Sequence, residues 1–230
     1  MDSVPDREHD HLQLLQQIKG ASIPFSLTIL SIIQGVALVT LAAVVAAGYR
    51  DFSPVTWVLA LTTLAMIGVV YFHIGIDSIG WVWIPTMSDA AVPFLLGAEE
   101  LFLSYTITGP LGVWLLGFVA IHVSSVLGHA HVLQKARAEW DNAPLLPYLE
   151  HHRRFALRLT TAGAALLLAV AVGSLVAGLG GREPVQGRAG LAGLTIGLLA
   201  LAWLGGYAYR LTRHWEGVIR YARTGQLPDA

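Results

Sequence analysis

The sequence predicts an all-α, polytopic integral membrane protein of about six transmembrane helices with a C-terminal amphipathic surface helix. Three observations predict it. Of 230 residues, 55% are hydrophobic and only 13% charged, too little charge to cover a soluble domain of this size. Apolar runs of about 20 residues, the length that crosses a hydrocarbon core, recur along the chain. The Lys and Arg residues are also strongly one-sided once those runs are laid out as spans. The lipid bilayer is therefore the first partner, and a net charge of -1 with no dense basic patch excludes nucleic acid. With no cysteine in the chain, disulfides, thiolate metal sites and cysteine nucleophiles are excluded.

Residues 1–22 read as a polar cytoplasmic arm, residues 23–209 as the transmembrane domain, and residues 210–230 as a cytoplasmic amphipathic tail. Span 1 runs from about Ile23 to Tyr49, with Gln34 as its most polar interior residue. Arg50-Asp51-Phe52-Ser53-Pro54 is a tight polar turn before span 2, Val55 to Ile76. At its far end His73 and Asp77, four residues apart, share a helical face. Trp81 and Trp83 follow, suited to the headgroup level where aromatic belts form.

Span 3, from about Asp89 to Ile107, is the anomaly. It holds Asp89, Glu99 and Glu100 as well as Pro93. A charge at the bilayer centre costs roughly 2.5–3.5 kcal/mol on insertion scales, and intramembrane ionisable groups mark functional or partner-bound sites. Asp89 and Glu100 are eleven residues apart, three turns, so they fall on nearly one face. Glu99 points about 80° away at 3.6 residues per turn.

Thr108-Gly109-Pro110 makes a tight link to span 4, Leu111 to Leu133, so the two spans are expected as antiparallel neighbours. Span 4 carries His122 and His129, seven apart and on one face, with Ser125 close by. Span 5, Phe155 to Leu179, is entered through His151-His152-Arg153-Arg154, whose arginines suit anionic lipid. Small residues at intervals of four (Ala165, Ala169, Gly173 and Ala177 in span 5; Ala189, Gly193 and Gly197 in span 6, Ala189 to Tyr209) predict a tightly packed hairpin of spans 5 and 6. Beyond it, Leu211, Trp215, Val218 and Ile219 form one apolar face of the tail.

Six spans place eleven of the 14 Lys and Arg residues on the side of both termini, counting Arg158 at the start of span 5 with the 4–5 loop. The positive-inside rule then puts both termini in the cytoplasm of a multi-pass inner-membrane protein. A span 3 left outside the membrane would reverse the basic 4–5 loop, which favours its crossing.

Spans 2 to 4 thus hold Glu99, Glu100 and His122 near mid-membrane, with Asp89, Asp77, His73 and His129 toward the cytoplasm. Carboxyls and imidazoles on adjacent spans point to a channel or transporter moving an ion or small solute, with proton linkage chemically available. One alternative uses the same groups for a metal or haem in a redox or enzymatic protein. Its metal-ligand candidates are Asp77, Asp89, Glu100, His122 and His129, and a bis-histidine haem would pair His73 with His129. A second alternative is a non-catalytic assembly subunit whose polar groups pair with a second copy or another membrane protein. The two lysines, Lys19 and Lys135, lie outside the spans, which excludes a retinal Schiff base. No cofactor follows from the sequence, and no phosphate-cradling GxxxxGK[ST] loop is present. Nor does a catalytic constellation emerge, since serines beside His122 on a span are ordinary packing groups.

Overall fold

A computed structural model describes residues 5–81, 86–139, 142–176 and 188–225. These form six α-helices: α1 (Pro5–Gly48), α2 (Pro54–Gly80), α3 (Met87–Thr106), α4 (Leu111–Ala138), α5 (Leu146–Val176) and α6 (Arg188–Thr224). No strand occurs among the described residues. Five helices are long and apolar enough to cross a membrane. α3, 20 residues long with its three carboxyl groups, packs between α1 and α4. Its length at 1.5 Å per residue is about 30 Å, a full hydrocarbon thickness. The polytopic all-α reading therefore holds. Trp83 and the far end of span 5 at Leu179 lie outside the described residues.

The turns form where the sequence dictates. Ser53 caps α2 by accepting the Thr56 amide at 3.1 Å, and Pro54 follows at the first helical position, where its missing N–H costs nothing. Between α3 and α4 the Gly109 amide bonds the Thr106 carbonyl at 2.9 Å, and α3 and α4 run back as neighbours.

Around the bundle the packed order is α5, α4, α3, α1, α2, α6. The bundle exposes large apolar side chains along its spans: Val39, Leu166, Leu191, Leu199 and Tyr209 are each at least 65% exposed. That exterior suits lipid, while charged and polar groups collect inside. Toward the α3–α4 turn the interior is closed by apolar side chains, with Trp114 and Phe118 stacked at 5.0 Å among Leu103, Ile107, Leu111 and Leu115. The Trp114 indole donates to Thr63 Oγ1 at 3.2 Å, so its one polar atom is satisfied.

Three expectations need correction. Spans 5 and 6 are not a tightly packed hairpin: α5 packs on α4, and α6 packs on α2. Gly193 and Gly197 receive Val55, Val58 and Leu59 of α2, whereas a side chain at Gly173 would meet nothing within 4 Å. A small-residue stripe permits close approach without specifying the partner. Second, the tail is the direct continuation of α6, and its apolar face packs on protein: Val218 and Trp215 join Trp81, Leu133, Ala136 and Leu149. Third, Trp81 is 3% exposed and lies within that cluster rather than in an aromatic belt.

Candidate functional site

α5 positions the central group. Leu149, Arg153, Ala156 and Thr160 follow one another by four, three and four residues, and all are buried. That spacing is the inward stripe of a helix, and Arg153 occupies it with 1% exposure. Its guanidinium donates to Asp77 through Nη2, and through Nη1 to His73 Nε2 at 2.8 Å and His129 Nδ1 at 2.5 Å. The Tyr207 hydroxyl of α6 lies 2.9 Å from His73 Nδ1 and 3.4 Å from His129 Nε2. His73 also approaches Asp77 at 3.5 Å, one helical turn along α2. Four helices, α2, α4, α5 and α6, thus meet on one cation.

The chemistry of the donors sets the tautomers. A guanidinium only donates, so His73 Nε2 and His129 Nδ1 must accept. Each neutral ring then carries its proton on the other nitrogen, the one facing Tyr207. The Tyr207 oxygen accepts from His73, with His129 at longer range, which leaves its own hydrogen to point elsewhere.

Two cavities meet at this pair of rings. One, of about 100 Å³, is lined by Arg153, Asp77, His73, His129, Asp89 and His131 on its polar side and by Phe25, Ile29, Val92 and Leu96 on its apolar side. The other, of about 40 Å³, lies between His122, Ser125, His73, His129, Trp203 and Tyr207. A water needs at least roughly 10–15 Å³ of such space, so the first has room for several waters and the second for up to about three. At the outer end of the first cavity Asp89 accepts from His131 at 2.6 Å and from the Thr86 hydroxyl at 2.8 Å, with Lys135 at 3.5 Å. At the inner end of the second, His122 Nδ1 donates to the Phe118 carbonyl at 2.8 Å, leaving Nε2 as the open acceptor.

The mid-span carboxyls stand apart from this line. Glu99 accepts a hydrogen bond from Ser124 at 2.6 Å, and its other oxygen is unpartnered. Glu100 is fully buried and faces Gln34 of α1, itself 2% exposed, with the carboxyl oxygens and the amide atoms outside hydrogen-bond geometry. Asp89 and Glu100 do not act on a common partner as their spacing suggested. Asp89 sits in the first turn of α3, where its carboxylate folds back to the Thr86 amide and reaches His131 of α4. Glu100 lies on the side of α1.

Of the residues singled out from sequence, His73, Asp77 and His129 converge directly, Asp89 and His122 border the adjoining cavities, and Glu99 and Glu100 lie outside them. Arg153 and Tyr207 are additional. A lipid-facing Arg153 and a polar interior confined to spans 2 to 4 are both corrected. α5 and α6 instead supply the cation and the hydroxyl.

The metal candidates do not form a ligand set. Asp77 and His129 both bond to a guanidinium, Asp89 pairs with His131 and Lys135, and Glu100 is remote. Among the described residues no three His, Asp or Glu side chains gather around a common point. The haem pairing fails on distance as well. The His73 and His129 ring centroids are 4.9 Å apart, which leaves no slot for a macrocycle between them. Comparison with known protein families, characterised proteins and solved structures returns no match to this chain.

Proposed function

We propose that the protein moves protons, alone or coupled to a small solute, across the inner membrane, with both termini in the cytoplasm. The observation that carries the reading is the pair of cavities that share His73 and His129 and extend the polar line from His122 to Asp89. His122 has an open acceptor nitrogen and borders the small cavity, and Tyr207 borders the same cavity with its hydroxyl hydrogen not used by His73 or His129. One water between them completes a relay from His122 through Tyr207 to His73 and His129. Beyond the rings, Asp77, Asp89 and His131 carry the line through the larger cavity. With Arg153 bonded to His73 Nε2 and His129 Nδ1 the rings are held in one tautomer and the relay is closed. It opens when the guanidinium moves off a ring, so that the vacated nitrogen takes a proton from the larger cavity as the opposite N–H is given to Tyr207. The apolar plug of Trp114 and Phe118 closes the other half in this conformation, so exchange with that side requires movement of α4 against α2 or α3.

The test is proton uptake by proteoliposomes under an imposed potential, read with an internal pH dye. Wild-type vesicles are expected to acidify faster than protein-free ones. Tyr207→Phe and His122→Ala are expected to return the rate to the protein-free level while the protein stays folded. Uptake that neither substitution alters would remove the relay.

A further inference from the structure

The ends of α5 and α6 enclose a third cavity, about 460 Å³ and the largest of the three, on the outer side of the cluster just described. Its wall carries Arg210, Arg213 and Arg220 of α6 together with His151, His152 and His214. The one carboxylate in the wall, Glu216, is held by Arg213 at 3.2 Å. Arg210 and Arg220 have no ion pair among the described residues. The floor is aromatic: Phe155 lies under the Arg210 guanidinium at 4.2 Å, and Tyr148 stacks on His214 at 4.9 Å. A second observation is independent of charge. His214 is 5% exposed and lies 3.8 Å from the His152 ring in a parallel stack, yet the Nε2 atoms of both are without a hydrogen-bond partner. Buried polar atoms in proteins are normally satisfied, and those that are not call for an explanation.

We infer that this groove binds a phosphate-type anion, held by Arg210 and Arg220 with imidazole at its base. The guanidinium fork matches phosphate oxygens geometrically, and the ring floor suits a group carrying apolar substituents. The groove begins at Tyr209, where the sixth span is expected to end, which places it at headgroup level. A lipid phosphodiester and a free phosphate share this chemistry.

The full chain, purified in detergent, is titrated with dioleoyl-phosphatidylglycerol, with dioleoyl-phosphatidylcholine and with inorganic phosphate. Lipid binding is followed by native mass spectrometry and phosphate binding by calorimetry. Phosphatidylglycerol is expected to bind more tightly than phosphatidylcholine, and Arg210→Gln with Arg220→Gln to weaken it about thirtyfold. Arg210→Lys with Arg220→Lys should retain only part of the binding, because an ammonium supplies the charge without the planar fork. Arg154→Gln, on an exposed arginine outside the groove, should leave it unchanged. Phosphate binding with the same dependence on the two arginines, and no lipid preference, supports the site and identifies a soluble ligand. Equal affinity for both lipids with no phosphate binding overturns the inference. So does a loss in Arg154→Gln equal to that of the double variant, because a diffuse surface charge then accounts for it. Unfolding temperatures of all variants are measured alongside, and both surface arginines of the groove tolerate removal without unfolding if the site is built as described.

Discussion

Two buried polar regions sit side by side in this bundle and are built on opposite terms. Around Arg153, a cation, a carboxylate, two imidazoles and a phenol bond to one another across four helices, with the Arg153 Nε as the one unpaired atom of the guanidinium. Around Glu100 and Gln34, a carboxyl group of α3 and an amide of α1 face each other, buried, with their four polar atoms outside hydrogen-bond geometry. The first region resembles a lock, since removing any one member leaves a charge or a donor stranded. The second is looser, two neutral-capable groups set against each other without a charge to hold them. A polar group inside a membrane protein is thus not one kind of feature: the hydrogen-bond inventory separates those that hold the fold from those left open to a proton, a water or a partner.

The comparison breaks most visibly at Arg153. Arg153→Met leaves Asp77 as an uncompensated buried charge, a loss of about 3–5 kcal/mol. Unfolding in mixed micelles checks it, and adding Asp77→Leu to the same chain should recover most of the loss. A smaller effect is expected from Gly197→Leu, which drives α6 away from Val58 and Leu59 and draws Tyr207 off the two imidazoles. Overpacking of this kind costs about 1–3 kcal/mol, and the tyrosine's fluorescence or proton uptake reports the displacement. At the other region, Glu100→Met should change stability by less than about 1 kcal/mol in either direction, because no hydrogen bond is broken. A large destabilisation there would show that Glu100 and Gln34 do support each other, and the contrast between the regions would disappear. Smallest of all is Arg154→Gln. Its side chain is 65% exposed and Glu150 keeps Arg137, so no shift in the unfolding midpoint is expected.

Much of the architecture was legible in advance, because a span is a matter of length and composition. The turns at Ser53-Pro54 and Gly109-Pro110 were equally plain, since their residue types admit few alternatives. Part of the site was legible too: His73 and Asp77 lie one turn apart, and His129 falls at similar depth on a neighbouring span. Arg153 escaped because it sits in a His-His-Arg-Arg run that reads as a charged collar. The signal was the stripe Leu149, Arg153, Ala156, Thr160, visible only if the helix is begun before the charged run rather than after it. Tyr207 escaped because a tyrosine near a span's end ordinarily serves the interface. Pairing of helices was the least legible feature. The glycines of span 6 announced a close neighbour, and only the three-dimensional arrangement showed it to be α2.

The order in which the chain is made gives the Arg153 cluster one more consequence. Asp77, His73 and His129 belong to α2 and α4, which are synthesised before α5. When the arginine emerges, its acceptors are already in the membrane, so α5 can enter with its charge met on arrival rather than carried bare into lipid. α6 comes last, and the Tyr207 hydroxyl closes the two imidazoles from the remaining side. A nascent chain halted before α6 would therefore hold five helices with the Arg153–Asp77 ion pair in place and the two imidazoles open on the flank that Tyr207 later covers.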